Sequence, residues 1–209
     1  MTYKTDQENF WTSNFATGYM ERNAHYAANI AARSKLFSEV LERTTGVESL
    51  TEFGANIGLN LLALKSVTPD SKLQAIEINP EACKALKEIP KIDVINKSIL
   101  ELAESDLDKA DLTYTSGVLI HINPDELNRV YDILYQYSNR YIMVAEYYNP
   151  TPVMIPYHGQ DNMLFKRDFA GDILDRFPDL KLLDYRFKYH RDNNFPLGDI
   201  TWFLLEKNK

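Results

Sequence analysis

The chain has 209 residues, 44% of them apolar and 25% charged, which suits one well-buried α/β core and is too short for two ordinary domains. Asp and Glu number 30 against 23 Lys and Arg, a net charge of −7 with no basic stripe or tail, which argues against nucleic acid or an anionic membrane as the main partner. One cysteine, Cys83, rules out a disulfide framework and a cysteine-rich metal site, and no metal is expected. No apolar run reaches the ~18 residues of a membrane helix, and the polar start Met1-Thr2-Tyr3-Lys4 predicts no secretory signal, so a cytoplasmic protein is expected.

In chain order, the first stretch is turn-rich and aromatic, with Phe10, Trp11, Phe15 and Tyr19. Phe15, Tyr19 and Arg22 are spaced to share one helical face. Residues 27–43 read as a helix burying Ile30, Leu36, Phe37, Val40 and Leu41. Residues 1–45 are expected to form a helical lid on a core spanning 46–209.

Ser49 to Phe53 is an apolar-alternating strand that contains the acid Glu52. It leads into the turn Gly54-Ala55-Asn56-Ile57-Gly58, and Leu59, Leu61, Leu62 and Leu64 then begin a helix. This is the strand–turn–helix form of a nucleotide-binding loop. Gly54 and Gly58 open backbone angles closed to other residues, and Asn56 tolerates positive φ. A dinucleotide fingerprint needs Gly at the first, third and sixth positions, and here Asn56 and Leu59 occupy the last two. The loop has no lysine for a phosphate.

Lys72 to Ile78 reads as a second strand, and Asn79-Pro80 opens the helix behind it. Glu77, 19 residues after Gly58, falls at the carboxyl end of that strand, where an acid accepts hydrogen bonds from ribose hydroxyls. Ile92 to Asn96 is a third strand. Residues 110–122 form a fourth strand and its outgoing loop, with Pro124 starting a helix that runs to Ser138. His121 lies just past the fourth strand and reads either as a packing residue or as a general base. Tyr141 to Tyr148 is a fifth strand, followed by a proline-rich loop holding His158 and reaching Lys166-Arg167. A short helix over 170–177 and two strands, 180–189 and 200–206, finish the chain. Joined without a helix, those two strands pair antiparallel.

The pattern of Glu52, Gly54 and Gly58, with Asn56 in place of a middle glycine, resembles motif I of the class I S-adenosylmethionine-dependent methyltransferases. Further runs narrow the likeness: 115–124, 144–150, 164–171 and 199–207, with Phe10-Trp11, Tyr19 and Arg22-Asn23. Together they resemble the methylases associated with pseudaminic acid biosynthesis, over nearly the whole chain. The resemblance implies an α/β three-layer sandwich around a seven-stranded, mostly parallel twisted sheet whose last strand is antiparallel. It implies S-adenosylmethionine as cofactor and a small-molecule acceptor, a nonulosonic-acid-type sugar or a related biosynthetic intermediate.

On that reading Glu52, Gly54, Ala55, Asn56, Gly58 and Asn60 cradle the donor, and Glu77 and Ile78 hold its ribose. Ser98 and Ile99 meet the adenine, Ser116, Gly117 and Val118 close the cradle, and Tyr19 and Arg22 receive the carboxylate. His121, or Glu146, removes a proton. Tyr147, Tyr148, His158, Lys166 and Arg167 line the acceptor side, although Arg167 with Asp168 also reads as a structural ion pair. The alternative is a noncatalytic cofactor-binding or interaction module. The oligomeric state is left open.

Overall fold

The computed structural model describes residues 3–13, 18 and 27–208, without the side chains of residues 27 and 28. Tyr19 and Arg22, and with them the proposed carboxylate site, lie outside the described residues.

Seven strands form one twisted sheet: β1 (Ser49–Phe53), β2 (Lys72–Glu77), β3 (Ile92–Asn96), β4 (Ala110–Ser116), β5 (Ser138–Glu146), β8 (Leu180–Lys188) and β9 (Ile200–Lys207). Their order across the sheet is β3-β2-β1-β4-β5-β9-β8. The first five are parallel, and β9 runs antiparallel to both β5 and β8. Strand order reverses between β1 and β4, which creates a crevice beyond their carboxyl ends.

Helices cover both faces. On one side α2 (Ala27–Leu41) packs against α3 (Leu59–Val67). There Leu36, Phe37, Val40, Leu61 and Leu64 bury against Leu50, Tyr114, Met143 and Trp202 of the sheet. On the other side lie α5 (Leu127–Tyr137) and α6 (Phe169–Arg176), whose Val130, Leu134, Phe169 and Ile173 pack on Phe53, Ile142, Val144 and Leu205. Period-two alternation assigns each strand residue to one of these cores, so central strands read as nearly continuous apolar runs. A fourth core helix, α4 (Pro80–Lys87), starts with Pro80 at its first turn, and the Asn79 side chain accepts from the main-chain N–H of Glu81 and Ala82. This is the three-layer, class I methyltransferase fold that the sequence led us to expect.

Two elements differ from expectation. The amino-terminal stretch holds a helix, α1 (Asp6–Trp11), closed by a capping box in which Thr5 and Glu8 satisfy each other's main-chain N–H. Unlike α2, which belongs to the core layer, α1 lies over the carboxyl ends of the strands. The proline-rich loop after β5 is a hairpin, β6 (Val153–Tyr157) paired antiparallel with β7 (Gln160–Lys166). His158 and Gly159 turn it, both at positive φ. Pro156 is tolerated because the hairpin is a two-stranded sheet of its own, with an edge that needs no donor.

At the opposite end of the sheet Asp111 latches β4 to β1. One carboxylate oxygen accepts from the Glu48 and Ser49 N–H, at 3.0 Å each, and from the Ser49 hydroxyl at 2.8 Å. Burial alone would raise this carboxyl, but the donors outweigh it and hold it below its ordinary value of 3.8. A depressed carboxylate stabilises the fold above that value, and the contribution is lost as the pH falls through the lower, folded value. Asp111→Asn is therefore expected to cost about 1–3 kcal/mol at neutral pH. Urea titrations should show that cost shrinking below the ordinary value.

Candidate active site

The crevice beyond β1 and β4 opens into the principal cleft of the described residues. Its floor is the turn after β1. Gly54 and Ala55 both donate to the carbonyl of Ile76, at 2.8 and 3.1 Å, which folds the turn back onto β2. Gly54 sits at φ +81°, and a Cβ there would lie 2.6 Å from a Val118 methyl. Asn56 takes φ +47° and its side chain accepts from the Ile57 N–H at 2.7 Å. Gly58 caps α3 at φ +82° and stays below the cleft, against Leu86 and Ile89.

Glu77 binds the two loops together. One of its oxygens accepts from the Asn56 N–H at 2.6 Å and the other from the Asn79 N–H at 2.7 Å. Burial raises its pKa, and the main-chain donors oppose that shift. Across the cleft floor Glu52 is fully buried and accepts from the Asn60 amide at 2.6 Å through one oxygen. Its other oxygen has no partner among the described residues. The Tyr114 hydroxyl, also without another partner among the described residues, stands beside this carboxyl. Desolvation pushes Glu52 up to about 8, against the pull of Asn60, Tyr114 and the Arg33 guanidinium.

Of the expected cofactor residues in the described part, all but Gly58 line the cleft. Glu52, Ala55 and Asn60 join Gly54 and Asn56 on the floor; Ile78 follows Glu77, and Ile99 follows Ser98. On the β4 side stand Ser116, Gly117 and Val118, with open space above Gly117, which sits at φ +68°. Ser98 is already engaged, donating to the Glu8 carboxylate and accepting from the Leu100 N–H at 3.1 Å. This ties α1 to the end of β3.

Among the lining residues that sequence reasoning did not assign to the site are Gln7, Glu8 and Arg33, and Trp11, read there only as part of the aromatic stretch, lines it as well. The Thr5-x-x-Glu8 box was the available signal for α1, and nothing local marks Arg33. Gln7 donates to the Asn162 carbonyl at 2.7 Å, and the Asn79 amide donates to the Trp11 carbonyl at 2.9 Å. The Gln7 side-chain oxygen, 5% exposed as a residue, has no partner among the described residues.

His121 lines the cleft at the start of the loop after β4. Its ring lies 4.8 Å from Trp11 and 5.0 Å from Tyr157, centroid to centroid. Its Nδ1 is 2.6 Å from the Met163 carbonyl. A carbonyl only accepts, so Nδ1 carries the proton and Nε2 the lone pair. Burial lowers this imidazole to about 4, partly offset by the Met163 carbonyl.

The remaining candidates are not brought to the cleft. Glu146 is buried beneath the loop after β4, where its oxygens accept from the N–H groups of Val118, Leu119 and Ile120 at 3.1, 3.2 and 3.4 Å. Burial raises it to about 7 despite these donors. This placement corrects the reading of Glu146 as a base, because the carboxyl is committed to the main chain. Arg167 pairs with Asp172 at 2.8 Å, while Asp168 caps α6 through the Gly171 N–H. An ion pair was foreseen, but with the wrong partner. Lys166 sits 5.0 Å over the Tyr147 ring, Tyr148 is 44% exposed on an outer face, and His158 is at the hairpin tip. None of these five lines the cleft.

Searches against family models and curated protein sequences return no match. The similarity to known proteins lies in the fold. The 1,6-didemethyltoxoflavin-N1-methyltransferase of Burkholderia thailandensis, with 1,6-didemethyltoxoflavin and S-adenosylhomocysteine bound, aligns at a TM-score of 0.72 and 12% identity, over 100% of this chain and 93% of its own. Magnesium protoporphyrin IX methyltransferase from Synechocystis PCC 6803, with bound S-adenosylhomocysteine, aligns at 0.71 and 10% identity, over 97% and 100%. The N-methyltransferase NodS of Bradyrhizobium japonicum WM9 aligns at 0.62 and 14%, over 85% and 94%.

His121 supplies a test of the site's electrostatics. A histidine held neutral by burial stabilises the fold fully above its ordinary value of 6.5, and that contribution is lost as the pH falls toward about 4. Glu52 and Glu146 have raised values and act in the opposite sense, so the informative quantity is a difference between variants. Between those two pH values wild type is expected to lose up to roughly 3 kcal/mol more stability than His121→Phe, measured by urea unfolding at each pH.

Proposed function

We propose that the protein is an S-adenosylmethionine-dependent methyltransferase acting on a small molecule. The observation that carries this reading is the cleft at the strand-order reversal. It has glycine and asparagine at positive φ on its floor and a carboxylate at each of two strand ends. Two buried acceptor oxygens, on Glu52 and Gln7, also lack donors among the described residues. Buried acceptors are nearly always satisfied; Glu52 has the Tyr114 hydroxyl beside it, and the Gln7 oxygen is the one suited to a donor brought by a ligand. An adenosyl amino acid carries such donors at both ends, an ammonium and an exocyclic amine.

In this proposal Gly54, Ala55 and Asn56 lie against the donor, Glu77 accepts from its ribose hydroxyls, and Glu52 with Asn60 faces its amino-acid end. Arg33, and Arg22 and Tyr19 from the segment not described, are the candidates for its carboxylate. When bound, S-adenosylmethionine supplies an electrophilic methyl group on a sulfonium. The protein's task is then alignment and exclusion of water, which together supply several kcal/mol. His121 Nε2 is the proton acceptor for a hydroxyl or ammonium acceptor, with the Met163 carbonyl fixing the tautomer. Glu146 acts as a positioning residue, holding the main chain of the loop that carries His121.

The family resemblance suggests a nonulosonic-acid-type sugar as acceptor. The cations for its carboxylate are drawn elsewhere in the described residues: Arg186 faces Asp184 and Glu39, Arg167 faces Asp172, and Lys166 lies over Tyr147. An uncharged or amine-bearing small molecule suits the cleft better, since Arg33 is the one Lys or Arg among its described lining residues. Tyr147, Tyr148 and His158 remain proposed contacts for the outer part of the acceptor.

Calorimetry should detect binding of S-adenosylhomocysteine, weakened about tenfold or more by Glu77→Gln, which keeps one acceptor for the main chain. Absence of binding to wild type overturns the proposal. In a methyl-transfer assay with labelled donor, His121→Gln is expected to lower turnover about 10²-fold while leaving donor affinity within about twofold. Unchanged turnover would return His121 to a packing role.

A further inference from the structure

We propose that two copies of the chain associate through the outer edge of β8 in an antiparallel, two-fold pairing centred on Arg186. Strand β8 ends the sheet among the described residues, with β9 its single neighbour there, so the main-chain groups along its other edge have no strand partner among them. Its alternate residues present an apolar stripe to solvent on the face away from α2: Tyr185 is 59% exposed and Phe187 57%, with Tyr189 beyond the strand at 46%. Phe203 of β9 extends the stripe inward, stacked on Tyr185 at 5.6 Å and tilted against Tyr148 at 5.8 Å. An edge of this length and composition is one that folded proteins cover or charge.

A second copy fits this edge better than an arbitrary partner, because the strand is complementary to itself. With Arg186 on the axis, antiparallel pairing sets Tyr185 opposite Phe187 and Asp184 opposite Lys188. These are aromatic and opposite-charge cross-strand pairs, each on one face of the extended sheet. The central arginine does not meet its copy as a bare charge, since it already faces Glu39 and Asp184 within its own chain. Lys188 likewise bonds Glu39 at 2.5 Å. The apolar side chains along and just past the strand, Leu182, Tyr185, Phe187 and Tyr189, are each more than 40% exposed.

Sedimentation equilibrium of the full chain tests this. Wild type is expected at twice the chain mass in the low micromolar range, and Tyr185→Lys/Phe187→Lys at the chain mass, its dissociation constant raised about 100-fold or more. Both positions are more than half exposed, so circular dichroism and thermal melting should report an unchanged fold. Cys83 is buried, which leaves the surface clear for a crosslink. Arg186→Cys should form a disulfide-linked dimer under mild oxidation, and Lys181→Cys, far from the axis in this register, should not. A monomeric wild type at about 100 µM would assign the stripe to some other partner and overturn the proposal. A dimer that survives the double lysine variant, or that links at residue 181 and not at 186, would overturn it equally.

Discussion

The Glu77 carboxylate is the constraint on which the cleft depends. A parallel sheet delivers every strand to the same edge, but the loops that follow have no ladder to hold them. Here one buried acid accepts a main-chain N–H from the loop after β1 and another from the loop after β2. The Ile76 carbonyl just before it takes two more donors, from Gly54 and Ala55. The turn is therefore shaped by the neighbouring strand rather than by its own residues alone. Its sequence has only to permit positive φ at residues 54, 56 and 58, which Gly, Asn and Gly do at little cost.

The same device recurs one strand-pair away. Glu146 ends β5 and accepts three successive N–H groups from the loop after β4, as Glu77 does for the loop after β1. In both cases burial opposes ionisation and main-chain donors favour it. Two carboxylates at the ends of adjacent strands' neighbours thus fix the two loops that face each other across the strand-order reversal. Glu52 differs: it precedes the last residue of its strand, takes the Asn60 amide through one oxygen, and is raised by burial with no main-chain donor to oppose it among the described residues.

The strand segments, the turn after β1 and the acid at the end of β2 were legible because each rests on local signals, whereas the order of strands across the sheet came only through the family resemblance. Those signals are apolar runs of strand length, a glycine-bearing turn before an apolar helix, and Asn79-Pro80 as a cap. Glu146 was misread because a strand-terminal acid looks the same in sequence whether it faces a cleft or the main chain of the next loop. Only the return of residues 118–120 over β5 decides between these. The β6–β7 hairpin was read as loop because Pro152 and Pro156 interrupt its alternation, and its turn uses His158-Gly159 rather than a stronger hairpin dipeptide. Arg33 could not be found from the chain alone. It projects from a core helix whose other residues pack on the sheet, and it reaches the cleft only because α2 lies across α3.

That hairpin connects α1 to the candidate base. In an extended strand successive carbonyls point to opposite edges, so one short segment would not ordinarily serve two neighbours on the same side. Asn162 interrupts β7 with φ +62°, a conformation Asn adopts more readily than other side-chain-bearing residues. The Asn162 carbonyl then receives the Gln7 amide of α1, and the next carbonyl, of Met163, receives His121 Nδ1. A single departure from regular strand geometry thereby joins the helix over the cleft to the imidazole beneath it. Because the Gln7 amide nitrogen is held in this way, its oxygen is fixed as an acceptor that cannot be exchanged by rotating the amide. The pose of α1, the tautomer of His121 and the donor that Gln7 still needs are in this sense settled together by two adjacent peptide groups of β7.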